Sequence, residues 1–413
     1  MRFALSLMLW VLPVAAQAAD SAWVQATVDG FEARLVTDAA ACPTLHTDKG
    51  DVAMTVRAPA AQNFPQVCAA AIPAGVVRAD IAGSALPLPV ADPQRILVLG
   101  DTGCRIKGAA VQACNDPVQW PFPPLAAAAA VLKPDLVIHV GDYLYRESPC
   151  PPGNQGCAGS PWGDNWTTWL ADFYTPAAPL LAAAPIVLVR GNHEDCHRTG
   201  PGWLRLQGPS AFEPAAPCIP HLPPYNVDLG GLRLAVMDDA TAEDTQLDRD
   251  ASPIYAAELT GLAAIPAPVW FVHHRPIWAA ISGPLGIPVG GNLALIDAVR
   301  LATLSGGPPI APNVELMLSG HIHSFQAINY AGNVPPQIVA GNGGDNLHAT
   351  PANLRGAQFQ GHSGVTVTDG LSVGGFGFLL MTRAGNGWDI DLYDQAGIKT
   401  RTCRFSKRLD CPA

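Results

Sequence analysis

The sequence has few charged residues and no dense run of basic ones. Asp, Glu, Lys and Arg make up 14% of 413 residues, and 24 basic against 34 acidic residues give a net charge of -10. A nucleic-acid-binding surface needs clustered Lys and Arg, so this composition argues against nucleic acid as a partner. The sequence also lacks a Cys-x-x-Cys spacing, which argues against a sulfur-rich structural zinc site.

Long apolar runs are absent after the N-terminal segment, and a membrane-spanning helix needs about 18 such residues. We therefore expect no membrane span in the mature protein. The N-terminal segment has Arg2, an apolar stretch over 3–15 and the small-x-small sequence Ala16-Gln17-Ala18. This order is typical of a secretory signal peptide. The sequence predicts a signal peptide over residues 1–18 and a periplasmic or secreted protein.

Ten cysteines follow the N-terminal segment. An even number of cysteines in an exported chain predicts disulfides. Pairing each cysteine with the next one closes five short, separate loops, and we adopt this pairing as a hypothesis. The five pairs are Cys42 with Cys68, Cys104 with Cys114, Cys150 with Cys157, Cys196 with Cys218, and Cys403 with Cys411.

Two kinds of pattern divide the rest of the chain. Residues 19–93 have short apolar runs broken by Gly, Pro and Asp, which predicts a small β-rich domain, interpreted as a sandwich. From residue 94, strand-like runs alternate with helical stretches, and we expect an α+β fold of four layers, αββα, over residues 94–402. A hairpin is predicted at its end, where the Asn-Gly of Ala384-Gly385-Asn386-Gly387 would supply the positive φ of a tight turn. Residues 403–413 are expected to form a disulfide-closed tail.

Polar residues follow five predicted strands at the point where each strand ends. The sequences at these ends are Gly100-Asp101-Thr102-Gly103, Gly141-Asp142-Tyr143-Leu144-Tyr145, Gly191-Asn192-His193-Glu194, His273-His274-Arg275-Pro276 and Gly320-His321-Ile322-His323. The carboxyl edge of an open α/β sheet is where loops gather catalytic side chains. A carboxylate can bridge two cations, and hard oxygen donors mixed with imidazole suit Fe, Zn or Mn. The sequence therefore predicts a metal-dependent reaction centre.

The order Gly-Asp-x-Gly, Gly-Asp-x-x-Tyr, Gly-Asn-His-Glu, His-x-Pro, Gly-His-x-His resembles that of the calcineurin-like metallophosphoesterases, specifically the purple acid phosphatases, over about residues 96–323. Most of that superfamily has a histidine two residues after the first aspartate. This chain has Gly103 there and offers Tyr145 instead, which is the purple acid phosphatase pattern. The resemblance implies a metallophosphoesterase sandwich that binds two metal ions.

The resemblance also implies which residues hold each ion. Fe(III) would take Asp101, Asp142, Tyr145 and His323. A divalent ion, Fe, Zn or Mn, would take the bridging Asp142, Asn192, His274 and His321. Tyr143 competes with Tyr145, and the two-residue spacing after Asp142 favours Tyr145. His273 competes with His274, which we choose because it stands in the His-x-Pro frame.

Residues beside the ligands are expected to act on the substrate. The resemblance implies that His193 contacts the phosphate and helps to protonate the leaving group, with Glu194 orienting that histidine or the turn. The family often uses another histidine shortly after His-x-Pro, but none lies between Pro276 and Gly320, so that contact is missing or comes from elsewhere. Four arginines could reach phosphate, although at least half are expected to form ion pairs or lie on the surface: Arg146, Arg190, Arg198 and Arg275.

These observations predict an exported, acid phosphatase-like hydrolase that acts on small phosphate monoesters with a metal-bound hydroxide as nucleophile. A phosphodiesterase or a PhoD-like alkaline phosphatase on the same metal site is the alternative enzyme. A non-catalytic metal- or phosphate-binding protein is a third hypothesis, and the presence of every expected ligand argues against it.

Overall fold

A computed structural model describes residues 20–304, 306–362 and 364–412, so the predicted signal peptide over residues 1–18 lies outside the described residues. The strands in these ranges are β1 (Ser21–Thr27), β2 (Gly30–Thr37), β3 (Thr44–Thr47), β4 (Gly50–Ala53), β5 (Thr55–Ala58), β6 (Gln66–Ala71), β7 (Ala79–Ile81), β8 (Ser84–Ala85), β9 (Arg95–Leu99), β10 (Ile106–Lys107), β11 (Ala110–Val111), β12 (Leu136–His139), β13 (Ile186–Leu188), β14 (Tyr225–Asp228), β15 (Arg233–Val236), β16 (Val269–Val272), β17 (Ala280–Ser282), β18 (Pro288–Gly290), β19 (Val314–Ser319), β20 (Phe325–Tyr330), β21 (Gln337–Ala340), β22 (Gln358–Phe359), β23 (Val367–Val373), β24 (Gly377–Ala384), β25 (Gly387–Asp394), β26 (Lys399–Phe405) and β27 (Leu409–Asp410).

The helices lie between these strands. They are α1 (Phe122–Val131), α2 (Trp166–Trp169), α3 (Thr175–Ala183), α4 (Gly200–Leu206), α5 (Ala251–Gly261) and α6 (Leu293–Leu304). A π-helical turn, Leu170–Tyr174, joins α2 to α3. Short 3-10 turns occupy Asn192–Glu194, Leu262–Ala264, Pro284–Gly286 and Gln360–His362. The alanine-rich α1 ends where Lys133 adopts left-handed backbone before Pro134, which cannot continue a helix.

Two large sheets pack face to face. One has the spatial order β27-β26-β25-β24-β9-β12-β13-β1-β2-β6-β5, and the other has the order β14-β15-β16-β19-β21-β20-β23. Their facing side chains form a buried apolar core that includes Ile96, Ile138, Trp270 and Leu316. The central strands β9, β12 and β13 are parallel, which agrees with their continuous apolar runs, because parallel strands are buried on both faces.

Helices cover the outer face of each sheet. Helices α1 to α4 pack on the first sheet through residues such as Leu125, Trp169 and Trp203. Helices α5 and α6 pack on the second sheet through residues such as Tyr255 and Leu295. The predicted four-layer αββα sandwich is therefore confirmed.

The region before residue 94 is β-rich, as predicted, and shares a sheet with the residues that follow. Gln25 of β1 pairs in parallel with Ile186 of β13, so β1, β2, β6 and β5 extend the first large sheet. A small sheet of β4, β3, β7 and β8 packs on these strands through Leu45 and Ile81 against Val24. The small sheet therefore faces the edge strands of the first large sheet. That residues 19–93 are a domain of their own stays a prediction.

The C-terminal residues complete the same sheet. The predicted hairpin forms between β24 and β25, with Ala384 opposite Gly387. The positive φ belongs to Gly385, at 53°, so the expectation that Asn-Gly supplies it was wrong. Residues 403–413 begin inside β26, and β27 closes the sheet edge.

All five predicted disulfides are present, with Cα–Cα distances between 4.2 and 5.7 Å. No cysteine of the described ranges is free.

Candidate metal centre

The predicted ligands lie on loops that leave the carboxyl ends of five strands. Strands β9, β12 and β13 belong to the first sheet, and β16 and β19 belong to the second. Because both sheets place these ends at the same edge of the sandwich, their loops meet there. The structure brings all seven predicted ligands and His193 together at this edge. Their roles as metal ligands stay a prediction.

One cluster of donor atoms surrounds the phenol of Tyr145. Its hydroxyl lies 2.7 Å from Asp142 Oδ2, 3.2 Å from Asp101 Oδ1 and 3.2 Å from His323 Nε2. His323 Nε2 is also 3.3 Å from Asp101 Oδ1. These four side chains are the ones predicted for Fe(III), and all four are buried.

A second cluster surrounds the imidazole of His274. Its Nε2 lies 3.1 Å from Asn192 Oδ1 and 3.3 Å from Asp142 Oδ2. The ring of His321 stands 5.2 Å from the ring of His274, and Asp142, His274 and His321 offer ligand atoms within 4.8 Å of one another. The same Oδ2 of Asp142 therefore approaches both clusters.

The competing tyrosine and histidine point elsewhere. The hydroxyl of Tyr143 donates a hydrogen bond to the Val189 carbonyl at 2.8 Å, and its ring stacks on His139. His273 Nδ1 lies 2.8 Å from Asp239 Oδ2, away from the two clusters. Tyr145 and His274 are thus the members of each pair that face the donor clusters.

Two buried carboxylates hold the loop that carries Asp142 and Tyr145. Glu194 accepts hydrogen bonds from the backbone N–H groups of Asp142, Tyr143, Leu144 and Gly191, at 2.9 to 3.2 Å. Glu194 was expected to orient His193 or its own turn; it contacts that turn through Gly191 and also ties it to the Asp142 loop.

Asp172, in the π-helical turn, holds the same loop from its other end. It accepts from the N–H of Tyr145 at 2.8 Å, the N–H of Cys104 at 2.9 Å and Arg146 Nε at 2.8 Å. Sequence reasoning missed Asp172, because no motif surrounds it and only the packing of the helix on the sheet brings it here.

The backbone at three of the predicted ligands adopts a conformation that non-glycine residues rarely take. Asp101, Asp142 and His321 have φ values of 56°, 60° and 67°. Left-handed backbone in a non-glycine residue costs of order 1 kcal/mol or more and persists only where its surroundings hold it. At Asp142 the space is confined as well, since a Cβ on Gly191 would lie 2.1 Å from Asp142 Oδ1. The backbone at these three residues is therefore strained. This strain lowers the stability of the fold but places the three side chains where they face the donor clusters.

The charges of the clusters fit bound cations. Burial and the facing carboxylates of Asp142 and Asp101 raise the pKa of Tyr145 well above its ordinary value. Burial alone would raise the pKa of Asp142, but His274 and His193 hold it well below its ordinary value. Buried carboxylates require a positive partner, and the groups that contact those of the first cluster directly include the imidazoles of His323 and His274, at 3.3 Å from Asp101 and Asp142. Carboxylate, phenol, amide and imidazole donors suit two hard or intermediate metal ions.

His193 lies beside the clusters. Its backbone N–H donates to Asp142 Oδ1 at 2.9 Å, and its ring stands 3.7 Å from the ring of Tyr145. Its Nδ1 is 2.7 Å from Glu147 Oε1, and Lys107 Nζ is 3.0 Å from the same carboxylate. Burial opposes ionisation of Glu147, but His193 and the nearby cations lower its pKa to about 2. Sequence reasoning missed Glu147, although it lies two residues after Tyr145.

A cavity of about 410 Å³ opens over the clusters. Predicted site residues line its floor, and an apolar wall comes from Pro276, Ala279, Ile281 and Val289. The polar residues in its lining that were not predicted are Arg105, Asp244, Thr245, Asn292, His348 and Gln360. A larger cavity of about 630 Å³ lies at β14 and α5 and contains none of the predicted ligands.

The four arginines proposed from the sequence are engaged in ion pairs. Arg146 lies 2.8 Å from Asp172, Arg190 3.1 Å from Asp238, Arg198 3.8 Å from Glu147 and Arg275 2.5 Å from Asp244. None of the four lines the cavity over the clusters.

Asp244 also positions a predicted ligand, because its Oδ2 lies 3.0 Å from His321 Nε2. This contact leaves Nδ1 as the nitrogen of His321 for a metal ion.

Comparisons with known proteins agree with this architecture. A sequence model described as calcineurin-like phosphoesterase matches residues 94–325. The structure of purple acid phosphatase PPD1 from yellow lupin (Lupinus luteus) seeds is similar over 93% of this chain and 73% of that chain, with 14% identity and a TM-score of 0.52. A structure of PhoD is similar over 95% of this chain and 91% of that chain, with 10% identity and a TM-score of 0.52. The search of curated proteins found no match.

Proposed function

Because this chain belongs to the calcineurin-like phosphoesterase family, we propose that it is an exported binuclear metal-dependent phosphatase that hydrolyses phosphate monoesters. One observation carries the proposal. Asp142 Oδ2 lies 2.7 Å from Tyr145 Oη and 3.3 Å from His274 Nε2, so one carboxylate oxygen is shared between two sets of donors. A carboxylate oxygen shared between two such sets can bridge two ions that lie close together, as in a binuclear site.

In this proposal each set of donors holds one ion. Asp101, Asp142, Tyr145 and His323 hold Fe(III), since a phenolate is a hard donor that suits a trivalent ion. A divalent Fe, Zn or Mn ion takes the other set: Asp142, Asn192, His274 and His321. When bound, two such ions lower the pKa of water to provide a nucleophile and neutralise charge on the phosphate.

His193 supplies the proton transfer in this proposal. Glu147 Oε1 lies 2.7 Å from Nδ1 of the ring, which leaves Nε2 free to face the substrate. When the ring is also protonated at Nε2, as an imidazolium whose Nδ1–H faces Glu147, it can give the Nε2 proton to the oxygen of the leaving group as the P–O bond breaks. Glu147 acts through His193 as a positioning residue.

The disulfides support export. Five disulfides among the described residues are typical of a protein that folds in an oxidising compartment, such as a periplasm or the extracellular space. No helix in the described ranges has the length and apolar content needed to cross a membrane.

The test is turnover of 4-nitrophenyl phosphate against bis(4-nitrophenyl) phosphate, with protein purified from an oxidising compartment and its metal content measured. We expect two metal ions per chain and a kcat/KM at least about tenfold higher for the monoester. A higher kcat/KM for the diester would be compatible with the same metal site and would mean that the protein is a phosphodiesterase. Absence of turnover of either ester with two ions bound would contradict an enzymatic function.

A further inference from the structure

Two residues of the cavity, Arg105 and His348, have no role in the proposal above. Both line the same cavity as Asp142, Tyr145 and His323. They come from different parts of the chain, one following the first ligand loop and the other following β21. Each is held in place by residues that contact the donor clusters.

Arg105 is fixed on two sides. Its Nε donates to Asp345 Oδ1 at 3.1 Å, and its Nη2 contacts Asp345 Oδ2, so the pair forms a two-point fork. The guanidinium carbon stands 4.9 Å from the centre of the Tyr145 ring. Asp345 is fully buried, and its own N–H donates to the Asp101 carbonyl at 2.9 Å. The guanidinium is therefore positioned relative to the first donor cluster.

This arrangement leaves one end of the guanidinium unused. Asp345 occupies Nε and Nη2, and Nη1 has no hydrogen-bond partner among the described residues. Because the side chain is 22% exposed and lines the cavity, Nη1 is available to a ligand. A guanidinium held in this way loses little conformational entropy when it binds an anion.

His348 presents a defined donor. The backbone N–H of His323 donates to His348 Nδ1 at 2.9 Å, and the two rings stack at 4.5 Å. Since a backbone N–H can only donate, Nδ1 of His348 acts as an acceptor and the ring proton is on Nε2. Nε2 has no partner among the described residues, so it can donate to an oxygen in the cavity.

We propose that Arg105 Nη1 and His348 Nε2 bind non-bridging oxygens of the substrate's phosphoryl group and thereby select dianionic monoesters over monoanionic diesters. A monoester offers three non-bridging oxygens and two negative charges, whereas a diester offers two such oxygens and one charge. With two ions and His193 also directed at the phosphate, the extra donors favour the substrate that has the third oxygen. This inference rests on the proposed phosphatase function.

The test uses variants that remove each donor without leaving a buried charge unpaired. Arg105→Met combined with Asp345→Asn removes the fork as a pair. His348→Asn keeps an acceptor near the position of Nδ1 and removes the Nε2 donor, whereas His348→Gln keeps a donor near Nε2. The matched control is Arg300→Met with Asp297→Asn, which removes an Arg–Asp pair of 2.8 Å on helix α6.

Three quantities are measured on protein with its metal content verified. They are the affinity for inorganic phosphate by titration calorimetry, and kcat/KM for 4-nitrophenyl phosphate and for its bis diester. A hydrogen bond between charged partners corresponds to about 10- to 100-fold in affinity. We therefore expect phosphate affinity and monoester kcat/KM to fall by about that factor in the Arg105/Asp345 variant, and diester kcat/KM by less than about fivefold. His348→Asn should weaken the same two quantities, and His348→Gln should recover part of the loss.

Equal losses of kcat/KM for the monoester and the diester in these variants would overturn the proposed selectivity. A phosphate affinity within about twofold of the native value, at full metal content, would overturn the proposed binding role of the two residues. If the double variant fails to fold, the His348 pair and Arg105→Lys, which keeps the charge and loses the fork, decide the same question. Native protein that hydrolyses neither ester would instead contradict the phosphatase function itself.

Discussion

Gly103 and the ring of Tyr145 are in direct steric competition. A Cβ on Gly103 would lie 2.8 Å from Cδ2 of Tyr145 and 2.6 Å from the Tyr143 carbonyl. A larger residue at 103 and a tyrosine in the present position of Tyr145 cannot both be accommodated. The exchange noted in the sequence, glycine at 103 with tyrosine at 145, therefore has a steric reason in this structure.

The Gly103→Ala variant tests this competition. The added methyl group meets a carbonyl oxygen and a ring buried on all sides, so the loop must move, and such overpacking costs about 1–3 kcal/mol. We expect lower metal affinity and at least about tenfold lower activity. Metal analysis and assay of the purified variant check this. Gly261→Ala is the control, because a Cβ at 261 meets nothing within 4 Å. Native metal content and activity in Gly103→Ala would refute the steric argument.

Replacing Asp142 by alanine should remove both metal ions. Its Oδ2 faces both donor clusters, so one side chain serves two sites. We expect loss of activity by at least about 1000-fold, and metal analysis should find fewer than one ion per chain. Asp250→Asn, an exposed residue before α5, is the control and should bind the native amount. Retention of two ions in Asp142→Ala would exclude the bridging role.

Tyr145 should give the native protein a visible absorption band. A phenolate bound to Fe(III) absorbs visible light by charge transfer, so Tyr145→Phe should be colourless even where iron is still bound. Tyr143→Phe provides the matched control, since its hydroxyl bonds to the Val189 carbonyl and not to the cluster. That control should keep the absorption band. Its free energy of unfolding should fall by about 1 kcal/mol, because the substitution removes this hydrogen bond. An unchanged band in Tyr145→Phe would mean that another residue binds the iron.

His193 should matter most for poor leaving groups. If His193 protonates the leaving oxygen, His193→Ala should slow hydrolysis of an alkyl phosphate by about 100- to 10,000-fold and that of 4-nitrophenyl phosphate much less. Glu147→Gln should shift the two rates in the same direction by a smaller factor, because its carboxylate contacts Nδ1 of the ring. The ratio of the two rates is the measurement. An equal loss for both substrates would indicate that His193 only binds phosphate.

The buried His139 should make the protein less stable in acid. Burial lowers the pKa of His139 to about 3, from an ordinary value of 6.5. Below pH 6.5 the unfolded chain binds a proton that the folded chain does not, so stability falls as pH decreases from 6.5 toward 3. Between pH 6.5 and pH 5 this contributes a loss of about 2 kcal/mol.

Denaturant unfolding with intact disulfides, at several pH values from 5 to 8, measures this effect. His139→Phe keeps an aromatic ring against Tyr143 and removes the titrating group. At pH 8 the free energy of unfolding of this variant should be lower than that of the native protein, because the contact with Thr102 is lost. It should then decrease less than the native value as the pH falls. Parallel pH profiles for the native protein and the variant would contradict this assignment.

The sequence by itself determined the features that depend on local pattern. Apolar runs followed by polar turns predicted the strands that end before Asp101, Asp142 and Asn192, because buried parallel strands and tight turns have local signatures. The four-layer fold and the ligand set came from the order of those turns and their family resemblance. The five disulfides followed from pairing cysteines that are near one another in the chain.

Only the tertiary structure decided which distant residues support the site. Arg105 meets Asp345 across 240 residues, and Asp172 reaches the Tyr145 loop from a π-helical turn. The pairing of β1 with β13, which joins the N-terminal strands to the large sheet, is equally non-local. Such contacts have no periodic signature, because they arise where separate elements pack against each other. The pattern of a single strand determines which of its faces is buried, whereas the packing of the whole chain determines what that face meets.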